Sequence, residues 1–124
     1  MIDFKNGMLF KLSKSDKPKN VDTVLPLLVQ GEAVISEYKG ARDFVIFTNK
    51  RIIAVNVQGL TGKKKDFTSL PYSKVQAFSV ETAGTLDWDS ELELYFSSVG
   101  KVRFEFSGGS DIVEIGRMIS DAIL

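Results

Sequence analysis

The residues from Phe44 to Val80 leave few folds open, because they read as four strands in succession with little chain between them. Phe44–Phe47 and Ile52–Val57 are apolar, β-branched runs joined by Thr48-Asn49-Lys50-Arg51, and asparagine is among the few residues that accept the positive φ of a tight hairpin. After Gly59-Leu60-Thr61-Gly62 a third strand runs from Lys64 to Leu70, Pro71 stops it, and a fourth follows from Lys74 to Val80. Such a segment closes as an antiparallel meander.

The flanks extend this pattern. Glu32–Lys39 predicts a strand that turns at Gly40-Ala41 into Arg42-Asp43. Beyond a polar loop, Glu81–Asp89, the alternation sharpens: Leu92, Leu94, Phe96, Val102, Phe104 and Phe106 face one way, and Glu91, Glu93, Tyr95, Lys101, Arg103 and Glu105 the other. A three-residue loop at Ser97-Ser98-Val99 sets Glu93 opposite Arg103, an ion pair contributing about 0.2 to 1 kcal/mol to the choice of register. Gly108-Gly109 ends the last strand, and Asp111 with Glu114 has capping-box spacing ahead of a helix whose Ile112, Ile115, Ile119 and Ala122 form one stripe, widened by Met118 and Ile123.

At the other end, residues 1–19 are a lysine-rich arm with a small apolar cluster, Met8, Leu9, Phe10 and Leu12. Helix signals begin near Ser15 and Asp16 with Pro18 in the first turn, and Val21, Val24, Leu25 and Leu28 recur at helical spacing as far as Gly31, a C-terminal cap. Pro26 requires that helix to kink or to restart with proline at its first position. The expected fold is a single, mainly β domain. An arm and short helix over 1–31 precede a partly open barrel of seven antiparallel strands over 32–124, with the last helix capping the open end.

The chain of 124 residues has neither cysteine nor histidine, which removes disulfides, thiol nucleophiles, imidazole bases and nearly all zinc or copper sites. No cofactor and no metal are expected, and no enzymatic activity. Apolar runs fall short of the ~20 residues that span a bilayer, and the N-terminus lacks a signal core of about 7 to 15 apolar residues, so a cytoplasmic protein is expected. The zero net charge is unevenly placed. Residues 1–65 hold 12 Lys and Arg against 6 Asp and Glu, and residues 66–124 hold 4 against 10, a split that favours contact between halves within one copy or between copies.

Several motifs recur in order. Phe47-Thr48-Asn49-Lys50-Arg51, Gln58 to Lys64, Pro71-Tyr72, Phe78 to Gly84, and then Asp87, Asp89 and Glu91-Leu92 resemble the signature of the bacterial pleckstrin-homology-like domain family, as do Leu28 to Glu32 and Arg42-Asp43. The similarity covers roughly residues 25 to 110, with Trp88 standing where the family pattern has Leu or Phe. It implies the pleckstrin-homology barrel, a binding or assembly role without assigned activity, and ring-like homo-oligomers.

Two sets of residues are candidates for contact. Lys39, Arg42, Lys50, Arg51, Lys63, Lys64 and Lys65 would form an anion-binding cluster if their loops met at one end of the barrel; otherwise the three consecutive lysines are a solvated strand edge that blocks pairing. Gly59, Thr61 and Gly62 match no phosphate loop and read as turn residues. Asp87, Asp89 and Glu91 alternate, so an extended chain would put them on one side, but the order of a calcium loop is absent. With Trp88, Lys63 and Lys64 they are the expected interface between copies, Trp88 either folding back on the barrel or anchoring a partner. Tyr72 after Pro71 reads as a corner residue. The expected partners are the chain itself, another protein, and weak electrostatic contact with an anionic membrane; nucleic acid is not expected.

Overall fold

A computed structural model describes residues 1–5, 10–16, 19–108 and 111–124, with Phe10 described by its backbone alone; Met8, Leu9, Pro18 and Gly109 lie outside that set. The seven expected strands are present: β2 (Val34–Lys39), β3 (Phe44–Thr48), β4 (Arg51–Gln58), β5 (Lys64–Pro71), β6 (Ala77–Glu81), β7 (Ser90–Phe96) and β8 (Gly100–Phe106). The arm adds another, β1 (Phe10–Lys14), so the sheet has eight strands in the order β5-β4-β3-β2-β1-β8-β7-β6. β1 runs antiparallel to β2 and parallel to β8, with Leu12 opposite Phe106, and it joins the two halves of the sheet.

The expected N-terminal helix shrinks to one turn, α1 (Val21–Val24), and Pro26 restarts the chain as a single 3-10 turn over Leu25–Leu27. Leu28 is already extended, so Gly31 belongs to the turn into β2 and caps no helix. This short segment has a clear packing role. Val24 is fully buried against Phe44, Ile46, Ile53 and Val55, on the face of β3 and β4 that points away from the main core. With both faces covered, β3 is apolar at every position from Phe44 to Phe47 and does not alternate.

The main core lies between the two halves of the sheet, around Tyr38, Phe47, Leu92, Phe104 and Phe106. The last hairpin buries its expected apolar set, and the register places Glu93 opposite Arg103. The ion pairs run diagonally across that register: Arg103 reaches Glu91 at 2.7 Å and Lys101 reaches Glu93 at 3.2 Å. The helix α2 (Ile112–Ile123) starts where Asp111 accepts a hydrogen bond from the Glu114 N–H, and it turns Ile112, Ile115 and Ile119 into the barrel; Ala122, expected on that stripe, is exposed. A 3-10 turn at Tyr72–Lys74 delays β6 to Ala77, and α2 packs on β6, β7 and that turn. Among the described residues no helix is long and apolar enough to cross a membrane.

Candidate functional site

The Thr48–Arg51 motif builds a clasp. The Thr48 hydroxyl donates to Glu32 Oε2 at 2.7 Å and accepts from the Lys50 and Arg51 N–H groups at 3.1 and 3.0 Å, which shapes the β3–β4 turn. Asn49 donates to Gly31 O at 3.0 Å and accepts from the Ala33 N–H at 2.8 Å, tying that turn to the chain entering β2. Arg51 grips Glu32 at both carboxylate oxygens and also donates to Leu27 O and Ser69 Oγ. Tyr72 is buried and donates to Thr48 O at 2.7 Å, the corner role expected of it.

Glu32 has a fully buried side chain and accepts from Arg51, Thr48 and the Val29 N–H. Burial pushes its carboxyl up, but the Arg51 and Thr48 hydrogen bonds, the Val29 N–H and the guanidinium charge together outweigh that and hold it below the ordinary carboxylate range. A carboxylate so placed is a structural anion with no lone pair facing a substrate. Sequence reading missed Glu32 because its partner is 19 residues away; the available signal was a Glu beside a glycine turn and an Arg closing a hairpin.

The basic candidates divide between the two ends of the sheet. Lys39, Arg42, Lys63, Lys64 and Lys65 lie where the β2–β3 and β4–β5 loops meet, and Arg42 donates to Gly59 O across them. Gly59 and Gly62 adopt φ of 76° and 68°, the left-handed turn geometry expected of them, and Lys65 closes the loop on Gly62 O at 3.0 Å. Leu60 stands fully exposed at the tip. Lys50 and Arg51 are at the other end of β4, roughly 23 Å away for seven steps of strand, so the seven residues do not converge. Arg51 is in any case committed to Glu32.

The acidic candidates gather on the second half of the sheet. Asp87 Oδ1 accepts from the Asp89 N–H at 3.0 Å and the Gly84 N–H donates to Asp87 O at 2.7 Å, so the loop turns and does not align Asp87, Asp89 and Glu91 as an extended chain would. Glu91 is bound to Arg103. Glu105 sits beside Asp89, and burial, followed by its hydrogen bond with Asp89, raises its carboxyl. Lys11 of β1 lies 4.0 Å from Glu105, an ion pair joining the basic and acidic halves of the sequence. Among the described residues no group of three carboxylates is placed to hold a metal ion. Trp88 is 74% exposed and lies beside Gly108, while Leu86 is fully exposed.

The sequence imbalance therefore becomes spatial. One end of the β2–β5 half carries clustered cations with an apolar tip, and the loop before β7 carries carboxylates with an exposed indole. Two unlike patches of opposite charge therefore lie on the two halves of the sheet.

Comparison with known proteins agrees with this architecture. Residues 3–123 match the family described as Bacterial PH domain. The chain is similar to the uncharacterized protein YjqA of Bacillus subtilis (strain 168), 37% identical over 121 residues that cover 96% of this chain and 97% of that one. Among solved structures it resembles a DUF1696 family protein with a pleckstrin-homology domain from Shewanella loihica PV-4, with TM-score 0.77 and 34% identity over 93% of this chain and 99% of the other. A pleckstrin homology domain from Shewanella amazonensis SB2B gives TM-score 0.65 and 39% identity, covering 90% of this chain and 91% of the other.

Proposed function

The chain belongs to the bacterial PH domain family, and from that premise we propose that it is a non-catalytic, cytoplasmic interaction module that assembles with copies of itself into a ring-like scaffold. The observation that carries this reading is the pairing of unlike patches. The Lys63 and Lys64 end exposes cations around Leu60, and the Asp87–Asp89 loop exposes the Asp87 carboxylate beside Trp88, with Asp89 half-buried against Glu105. Patches that differ on one subunit meet head to tail between subunits, and such contacts close into rings where the rotation permits. Trp88 supplies the kind of exposed aromatic that anchors an interface.

Light scattering on the intact chain tests this. A mass of several subunits that falls with added salt supports it, as does a shift toward monomer in Trp88→Ala or in the Lys63→Glu, Lys64→Glu double variant with far-UV circular dichroism unchanged. A monomeric mass independent of concentration overturns it.

The fully exposed Leu60 beside Lys63 and Lys64 favours a second reading, contact with an anionic lipid surface, where each lysine adds about 1 kcal/mol. Co-sedimentation with vesicles containing phosphatidylserine, compared with neutral vesicles, separates the two readings. Loss of binding in Leu60→Ser would favour the membrane.

A further inference from the structure

The loop that carries Trp88 is fastened to the sheet by two carboxyl groups. Asp89 is half-buried one residue before β7, and its side chain is hydrogen-bonded to Glu105 of β8. The neighbouring contact is apolar. Trp88 rides over Gly108, where an added Cβ would fall 3.4 Å from Trp88 Cβ and 3.6 Å from its Cε3. Within the loop, the Gly84 N–H on Asp87 O and the Asp89 N–H on Asp87 Oδ1 close a turn, and Trp88 and Asp89 join that turn to the β8 side.

Glu105 stands where a second negative charge is hard to hold. The register sets Lys11, Glu105, Glu91 and Glu81 directly opposite one another across β1, β8, β7 and β6, so one row on the outer face carries three carboxylates and one cation. Like charges in directly opposed positions weaken pairing. The Glu91 charge is met by Arg103 at 2.7 Å, and Lys101 is occupied by Glu93 at 3.2 Å. Among the described residues the ion pair open to Glu105 is with Lys11, 4.0 Å away on a side chain 76% exposed, whereas the Glu105 side chain is 14% exposed and little screened by water. Two carboxyl groups within hydrogen-bonding distance hold a proton between them, and burial, then Asp89, raise the Glu105 carboxyl accordingly.

We infer that Asp89 and Glu105 form a proton-operated latch: with one proton between them they hold the loop of residues 81–89 and its Trp88 against the end of β8, and with none their charges push the loop away. On opening, the Glu105 proton passes to water, hydration of two carboxylates replaces the hydrogen bond, and Lys11 is left to neutralise one of them. The sign follows from the raised Glu105 carboxyl. The closing contact is complete below the ordinary glutamate pKa of about 4.3 and is lost as pH rises through the higher folded value. This direction is opposite to that of Glu32, whose carboxyl is held low, so the two groups are told apart by sign. The latch stands on contacts within one copy and holds whether or not copies assemble.

Nuclear magnetic resonance on the dilute intact chain with isotopically labelled carboxyl groups tests this, from mildly alkaline pH down to the ordinary glutamate range. The Asp89 and Glu105 carboxyl signals should titrate together, and the cross-peak between the Trp88 ring and Gly108 should strengthen over the same range as pH falls. Glu105→Gln keeps a donor facing Asp89 with no charge to lose, so its cross-peak should persist at every pH in that range. Asp89→Ala should weaken the cross-peak throughout with far-UV circular dichroism unchanged. Lys11→Met should move the transition of the natural chain to higher pH, since the Lys11 cation favours the ionised form. A Trp88–Gly108 cross-peak indifferent to pH in the natural chain, or a transition that survives in Glu105→Gln, overturns the inference. So does a midpoint that moves with protein concentration, because the proton would then act on contact between copies.

Discussion

Arg51 meets Glu32 in a two-point contact, Nε to Oε2 at 2.9 Å and Nη2 to Oε1 at 3.0 Å, with the carboxylate fully buried and the guanidinium largely so. Removing one member of a buried pair strands the other without water, a loss of about 3 to 5 kcal/mol. Arg51→Ala should therefore lower the denaturant midpoint sharply with no change in slope. Arg51→Lys should recover only part of the loss, because an ammonium cannot span both oxygens and Leu27 O together.

The same pair sets an acid limb. Glu32 has its carboxyl held below the ordinary value, so the stability it contributes is fully present above the unfolded glutamate pKa of about 4.3 and is lost as pH falls through the lower folded value. Thermal melts across that acidic window should show a steeper decline for the natural chain than for Glu32→Gln, which should be less stable at neutral pH and flatter toward acid.

The last hairpin separates a wet face from a dry one at adjacent residues. Phe104 is fully buried, so Phe104→Ala should lose about 3 to 5 kcal/mol. Arg103 reaches Glu91 from an exposed position, and Arg103→Ala should leave the midpoint almost unchanged. Urea titrations of the two variants side by side decide it, and comparable losses would show that the two faces had been assigned the wrong way round.

Helix α2 approaches β6 closely at Gly116, where an added Cβ would fall 2.8 Å from Val80 Cγ2. Alanine gains about 1 kcal/mol of helix propensity over glycine, but overpacking against a stiff β-branched neighbour loses about 1 to 3 kcal/mol. Gly116→Ala should thus be neutral to destabilising, by up to about 2 kcal/mol. Joining it to Val80→Ala should recover stability, so a double-mutant cycle would return a coupling of opposite sign to the single loss.

Strand boundaries in β3, β4, β7 and β8 were legible because alternation and apolar runs are local signals, readable within a few residues. β1 was hidden for the opposite reason. Its partners are β2 and β8, the latter some ninety residues away, and its sequence Phe10-Lys11-Leu12-Ser13-Lys14 has a single fully buried side chain, Leu12, among those described. The candidate basic cluster failed to gather for a reason the sequence did contain. Two antiparallel strands put the Lys50-Arg51 turn and the Gly59–Lys63 loop at opposite ends of β4 whatever the side chains prefer. The Glu32 clasp depends on which elements meet at that end of the barrel, and no periodicity records that.

The placement of β1 also bears on how the molecule fails. It is the one strand bridging β2 and β8, and the chain before it is anchored by the Ile2 N–H on Thr68 Oγ1 at 3.0 Å and by the N-terminal amine on Asp66 at 2.7 Å. Peeling the arm away would break the seam along its length and bare two long strand edges at once. One belongs to β8, whose alternate residues Val102, Phe104 and Phe106 are among the most apolar in the chain. Edges of that kind template further pairing, so proteolytic nicking or weak docking of the first fourteen residues would turn one continuous sheet into a seed for aggregation.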